Sequence, residues 1–170
     1  MHPHAPLFLL GGAAGAGKTS LIPHLARLAR GVVVLDIDDL LEEGAVLGVP
    51  VATPTAAPVW PAYNRLWHRL TVAIRRSGIP VLLLATPPPK EGALEVWKSE
   101  RDIHWALLDC APQEQRRRLR TRGWSEAEIE GAVLDAEQAR RAIQPAFRTD
   151  LDGPEQAARQ VMDWVAQRTG

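Results

Sequence analysis

Apolar residues along the chain arrive in two rhythms. Leu7-Phe8-Leu9-Leu10, Val32-Val33-Val34-Leu35, Ile79 to Ala85 and Trp105-Ala106-Leu107-Leu108 are short, nearly unbroken runs. Runs of that length predict strands buried on both faces rather than half-solvated ones. Between them the period changes. Thr19 to Arg30 carries Leu21, Ile22, Leu25, Leu28 and Ala29 at helical spacing and stops at Gly31. Pro23 lies near the start of that helix and removes one backbone hydrogen bond. Trp60 to Arg76 repeats the pattern through Trp60, Tyr63, Leu66, Trp67, Leu70, Ala73 and Ile74, and stops at Gly78. Pro112 to Arg122 and Ser125 to Ile143 predict two helices broken at Gly123. The second is opened by the capping-box pattern Ser125-Glu126-Ala127-Glu128. Pro154 to Gln167 predicts a closing helix with proline in its first turn.

Weaker signals fill the gaps. Asp38 to Glu43 predicts a short helix stopped by Gly44, and Glu91 to Glu100 another. Phe147 to Leu151 predicts a marginal fifth strand. Residues 44–58, with Pro50, Pro54 and Pro58 and then Pro61 just beyond, predict an irregular stretch. Strands alternate with helices, which predicts an α/β domain of three layers around a parallel sheet, spanning residues 1–170.

Composition changes this picture in three ways. Twenty basic residues balance twenty acidic ones, and zero net charge argues against a general nucleic-acid binder. Cys110 is the only cysteine, which excludes an internal disulfide or a cysteine-built zinc site. The apolar stretch from Leu7 to Ala16 is too short for a bilayer and lacks a preceding Lys or Arg, so the expected location is cytoplasmic, with no membrane contact. Of the twenty basic residues only Lys18, Lys90 and Lys98 are lysines. A lysine in this chain therefore carries more meaning than an arginine.

Lys18 sits in Gly12-Ala13-Ala14-Gly15-Ala16-Gly17-Lys18-Thr19, which fits G-x-x-x-x-G-K-[ST] between a predicted strand and a predicted helix. Glycines let the backbone curl so that its amides face phosphate oxygens, and the helix start, through Ser20, adds a positive dipole end. Lys18 would reach the β- and γ-phosphates of ATP, and Thr19 would offer a hydroxyl to Mg2+. The rival dinucleotide pattern is incomplete, because Ser20 stands where a third glycine belongs, although Asp36 lies at a suitable distance for a ribose.

Asp36 closes the second strand and Asp38 follows two residues later. Ligands of such sheets lie beyond the carboxyl ends of the strands. One carboxylate there can serve Mg2+, the other an acceptor hydroxyl whose proton it takes. One of Asp38 and Asp39 is expected to cap the next helix. Asp109, at the end of another strand, is a third candidate for the metal. Arg116, Arg117, Arg118, Arg120 and Arg122 crowd one short helix. They suggest a lid over residues 116–141, with Arg118 and Arg122 on one face, Gly123 as a joint, and Arg140 and Arg141 facing back.

Other phosphate-loop classes fit poorly. Asn64 is the only asparagine, and no Asn/Thr-Lys-x-Asp element for reading guanine is present. The loop, the Asp36-x-Asp38 pair and the arginine helix ending in Arg122-Gly123, in this order, resemble the small P-loop kinases: shikimate kinase, gluconate kinase, chloramphenicol phosphotransferase and the nucleoside and nucleoside-monophosphate kinases. The resemblance implies a P-loop NTPase fold with a five-stranded parallel sheet in the order 2-3-1-4-5 and a helical lid. In shikimate kinase the first Asp of the pair assists Mg2+ and the second binds the acceptor. The Gly-Gly-Gly turn of shikimate kinase is replaced here by Thr86-Pro87-Pro88-Pro89, so shikimate is not the expected acceptor.

Acceptor contacts are expected within residues 44–70, from Trp60, Asn64 and Arg65 beside Asp38, with Tyr63 and above all Trp67 assigned to the core stripe. The leading reading is ATP-dependent transfer of a phosphoryl group to a small acceptor. A nucleoside or nucleotide comes first, then an antibiotic or sugar-like alcohol. A polynucleotide 5'-hydroxyl kinase and a non-catalytic nucleotide switch that binds a protein partner are the alternatives.

Overall fold

The computed structural model describes residues 4–42, 44–46, 48–50, 58–86 and 102–169. The central strand, β1 (Leu7–Gly12), is buried along its whole length. Its side chains alternate between two apolar clusters. Phe8 and Leu10 join Leu21, Leu25, Leu82, Leu84, Val161 and Trp164 on one side, whereas Leu7 and Leu9 join Tyr63, Trp67, Val81 and Leu83 on the other. A strand with two dry faces needs cover on both, which is why its run shows no polar alternation.

Parallel neighbours flank β1. β2 (Val33–Asp36), β5 (Val81–Ala85), β6 (Ile103–Asp109) and β7 (Ala146–Arg148) complete a sheet ordered β2-β5-β1-β6-β7. The labels jump because a two-stranded antiparallel hairpin, β3 (Ala45–Val46) and β4 (Val49–Pro50), intervenes in the chain. Counting the large sheet's own strands, the order is the expected 2-3-1-4-5. The order reverses at β1, whose carboxyl end carries the glycine-rich turn, so ligands have an opening there.

Helices supply the cover. α1 (Lys18–Leu28) and α5 (Gly153–Thr169) lie against the Phe8 face, burying Leu21 and Leu25, and Ala157, Val161 and Trp164. Pro23 is exposed within α1, and the helix runs through it. α2 (Trp60–Arg75) covers the Leu9 face with Tyr63 and Trp67. α3 (Pro112–Thr121) and α4 (Glu126–Ala142) form a hairpin beyond β6, and α4 sets Ala139 against Leu107. Ser125 caps α4 through the reciprocal bonds with Glu128.

Four local expectations change. The helix at Asp38–Glu43 is a 3-10 turn, Ile37–Leu40, started one residue earlier because Asp36 rather than a later Asp is its cap. Residues 44–58 are not wholly irregular, since β3 and β4 pair there, joined through Gly48 at φ 79°. The last strand ends at Arg148 instead of Leu151, because Thr149 and Asp150 turn back toward β6. The break at Gly123 is a Schellman cap. Trp124 N donates to Leu119 O at 3.2 Å and Gly123 N to Arg120 O at 2.9 Å. The helix expected at Glu91–Glu100, together with Pro54, Pro87–Pro89, Lys90 and Lys98, lies outside the described residues. No helix among the described residues is long and apolar enough to cross a membrane.

Candidate functional site

The turn from β1 into α1 is the glycine-rich segment Gly12–Thr19. Gly15 and Gly17 have φ of 82° and 106°, values at which any side chain is strained. A Cβ on Gly15 would also meet Gln115 Cγ and Leu119 Cγ at 3.2 Å. Ala13 and Ala16 are buried, and Ala14 packs against the Leu119–Ile129–Val133 cluster of the α3–α4 hairpin. Thr19 and Ser20, in the first turn of α1, are exposed. Lys18 lies back across the loop and donates from Nζ to Gly12 O. Burial pushes the Lys18 ammonium pKa down, Asp38 and Asp36 oppose that shift, and Arg122 adds to it.

Asp36 is buried, with 5% of its surface exposed. Its Oδ1 accepts from Asp38 N at 3.0 Å, and Asp39 Oδ2 accepts from Asp36 N at 2.9 Å. Asp36 and Asp39 thus cap the 3-10 turn reciprocally, leaving Asp38 exposed at the sheet's carboxyl edge. Burial raises the Asp36 pKa, with the Asp38 amide and Lys18 pulling the other way. Asp109 is engaged elsewhere: Arg140 Nε donates to its Oδ2 at 2.8 Å.

The five arginines of 116–122 divide by partner. Arg116 and Arg120 cross the hairpin to Glu130 and Glu126, both at 2.7 Å, and Arg117 takes Glu114 at 2.7 Å. Arg117 and Arg118 hold the Glu114 carboxyl down at about 2. Arg118 is docked on the outside of the loop, with Nη1 3.1 Å from Gly15 O and 2.9 Å from Thr149 Oγ1. Arg122, at the end of α3, is exposed, and its guanidinium has no hydrogen bond or ion pair among the described residues. Arg140 is taken by Asp109, and Arg141 pairs with Glu137 on the surface, so neither faces back over the loop. Beside the loop, Gly17, Ser20, Arg118, Arg122, Thr149 and Pro154 line a cleft of about 360 Å³.

On the other flank, Tyr63 donates its hydroxyl to Ile37 O, next to the aspartates. Burial raises the Tyr63 pKa. Trp60 stands edge-on to Tyr63 at 5.9 Å and is partly buried in the same cluster, so most of it packs rather than faces a ligand. Trp67 is core, as expected, at 1% exposure. Asn64 is half-buried and Arg65 exposed on α2.

Two residues at the loop escaped the sequence reading. Gln115 is fully buried and donates from Nε2 to Ala14 O at 2.9 Å and Ala132 O at 3.0 Å. Thr149 is buried and donates from Oγ1 to Ala16 O at 2.7 Å. A polar Gln four residues before Leu119, on the buried stripe of α3, was the available signal. Thr149 offered none, being distant in sequence.

Among the described residues no cluster of three His, Cys, Asp or Glu side chains could enclose a metal. A Mg2+ ion that retains waters and phosphate ligands needs fewer protein oxygens. The exposed Thr19 hydroxyl and the buried Asp36 carboxyl, disfavoured as an anion by its burial, suit such an ion.

No protein-family model matches the sequence, and no curated protein does. Solved structures do match. Shikimate kinase from Acinetobacter baumannii in complex with shikimate is 17% identical with a TM-score of 0.65, covering 96% of this chain and 94% of that one. An unliganded sugar kinase from Janibacter sp. HTCC2649 is 15% identical with a TM-score of 0.65, covering 95% of each. A chain of an RNA repair complex is 17% identical with a TM-score of 0.62 over 85% of this chain and 48% of that one. With a parallel sheet ordered about a phosphate-loop turn and these neighbours, the chain has the fold of the small P-loop kinases.

Proposed function

We propose that the chain is an ATP-dependent kinase that moves the γ-phosphoryl group of Mg-ATP to a hydroxyl of a small acceptor. The observation that carries this reading is the glycine-rich turn with Lys18 at the carboxyl end of β1, on the same sheet edge as Asp36 and the exposed Asp38 at the end of β2. A loop that only bound phosphate would need Lys18 and its amides; the exposed Asp38 beside them adds a base for a hydroxyl.

Each residue has one task. Amides of the Gly12–Thr19 turn hold the phosphates, and Lys18 leaves Gly12 O for the β- and γ-oxygens. The base lies in the cleft between Arg118, Thr149 and Pro154. Thr19 and, through water, Asp36 would hold Mg2+, which would supply neutralising charge. Asp38 orients the acceptor hydroxyl and takes its proton. Arg122, uncommitted and already felt by Lys18, stabilises charge on the transferring group. Asn64 and Arg65 at the head of α2, with only the unpacked edge of Trp60, face the acceptor, a nucleoside or nucleotide before an antibiotic or sugar-like alcohol. The chain works in the cytoplasm.

A polynucleotide acceptor would need a free basic track. Arg116, Arg117 and Arg120 are each neutralised by a glutamate, which removes the obvious one. The test is ADP release in a coupled assay over nucleosides, nucleotides and alcohols, with Lys18→Ala as control. Acceptor-dependent ADP that disappears in the variant supports the reading. Tight ATP binding without transfer to any acceptor would instead favour a nucleotide switch.

A further inference from the structure

The Gly12–Thr19 turn is held by side chains from outside it, which bond to its carbonyls. A trans peptide sends its C=O and the following N–H in opposite directions. A donor that fixes the carbonyl of one residue therefore aims the amide of the next. Gln115 Nε2 fixes Ala14 O at 2.9 Å, which turns the Gly15 amide the other way. Thr149 Oγ1 fixes Ala16 O at 2.7 Å, which does the same for the Gly17 amide. Between them, Arg118 fixes Gly15 O at 3.1 Å, and the Ala16 amide closes the loop's own turn on Ala13 O at 3.1 Å. Gly15 and Gly17 amides have no partner among the described residues.

Both clamps are themselves immobilised. Gln115 donates its second amide hydrogen to Ala132 O of α4 at 3.0 Å, and its Oε1 is buried without a partner among the described residues. The side chain keeps that orphaned acceptor while its amide satisfies two carbonyls, Ala14 O on the loop and Ala132 O on α4, so its use lies in the two bonds it donates. Thr149 accepts from Arg118 at 2.9 Å, and its single hydrogen has Ala16 O at 2.7 Å as a much closer acceptor than Asp109 O at 3.4 Å.

We propose that Gln115 and Thr149 are positioning residues that preset the Gly15 and Gly17 amides toward a polyphosphate before it binds. The proposal rests on the nucleotide-site reading above and goes beyond it by assigning roles to two residues outside the loop. Preset donors bind the anion without a reorganisation cost, so losing either clamp weakens polyphosphate binding, and losing Gln115, which does not line the cleft, leaves the base cleft intact.

The test is calorimetric titration of the full chain with inorganic tripolyphosphate and, separately, with adenosine. The variants are Gln115→Met, Thr149→Val and Thr149→Ser. Gln115→Met and Thr149→Val should each weaken tripolyphosphate by about tenfold. Thr149→Ser should restore it, and Gln115→Met should bind adenosine as the parent does. Folded variants that bind tripolyphosphate as tightly as the parent overturn the positioning role alone. A parent chain that binds no tripolyphosphate overturns the nucleotide site and the proposal with it. Should neither variant fold, the parent decides by NMR. The Gln115 side-chain amide protons should resist exchange with water both before and after tripolyphosphate, and rapid exchange before binding overturns the preset clamp.

Discussion

Arg140 reaches from α4 to the end of β6 and sets its Nε 2.8 Å from an Asp109 carboxylate oxygen. The same guanidinium donates to Cys110 O at 3.1 Å. Asp109 has a side chain only 8% exposed, whereas Arg140 keeps 25%. Arg140→Ala leaves the carboxylate buried alone. A fully buried pair loses about 3–5 kcal/mol this way, and the partial exposure of Arg140 lowers the expectation to about 2 kcal/mol. Urea unfolding should show that loss, with kcat almost unchanged. A selective collapse of kcat would mean that Asp109 serves the reaction after all.

The arginines of the hairpin should separate by task. Arg122→Ala is expected to lower kcat by about a hundredfold or more, because it removes charge from the transferring group. Arg116→Ala and Arg120→Ala remove exposed pairs with Glu130 and Glu126, so each should cost little stability, and that little should fade in salt. Steady-state kinetics beside thermal melts at two salt concentrations reads both effects. Equal kinetic losses from all three would contradict the division.

Asp36 sets function against stability. Burial raises its folded pKa, so its contribution to stability is full below the unfolded value and declines as pH rises through the folded one. Asp36→Asn removes that penalty while retaining a side chain that caps well. The variant should be more stable than the parent at pH 7, with the gain shrinking as the pH falls. Its transfer activity should drop by about a hundredfold, if P-loop phosphoryl transfer relies on that carboxylate for the metal. Melting curves across pH, paired with the ADP assay, check both signs.

Asp150 behaves in the opposite way. Arg148, 2.7 Å away, holds its carboxyl down at about 2. The stability it adds is complete above the ordinary carboxylate pKa of about 4 and is lost as the pH falls through about 2. Arg148→Ala should flatten that acid limb. Unfolding free energies measured at several acidic pH values would reveal an unchanged slope if the pair were idle.

Much of this arrangement could be read from residues near one another in sequence. The buried strands announce themselves because Leu7 to Leu10 and Val81 to Ala85 face apolar clusters on both sides. The phosphate loop is contiguous, and Gly123 and Ser125 cap their helices with neighbours three to five residues away. What stayed hidden depends on distant partners. Nothing near Asp109 announces Arg140, and nothing near Thr149 announces Ala16. The short turn at Ile37–Leu40 was misplaced because its start depends on which of Asp36, Asp38 and Asp39 turns its carboxylate onto a backbone amide. The crowded arginines looked like one positive patch until glutamates on both helices divided them.

Ala14 belongs at once to the phosphate loop and to the apolar cluster of Leu119, Ile129 and Val133. A swap that brought in the α3–α4 hairpin of one of the structurally similar kinases would carry a foreign surface against this methyl group. Such chimeras should succeed when the loop is exchanged together with the hairpin, as one inherited module, and misfit when either travels alone.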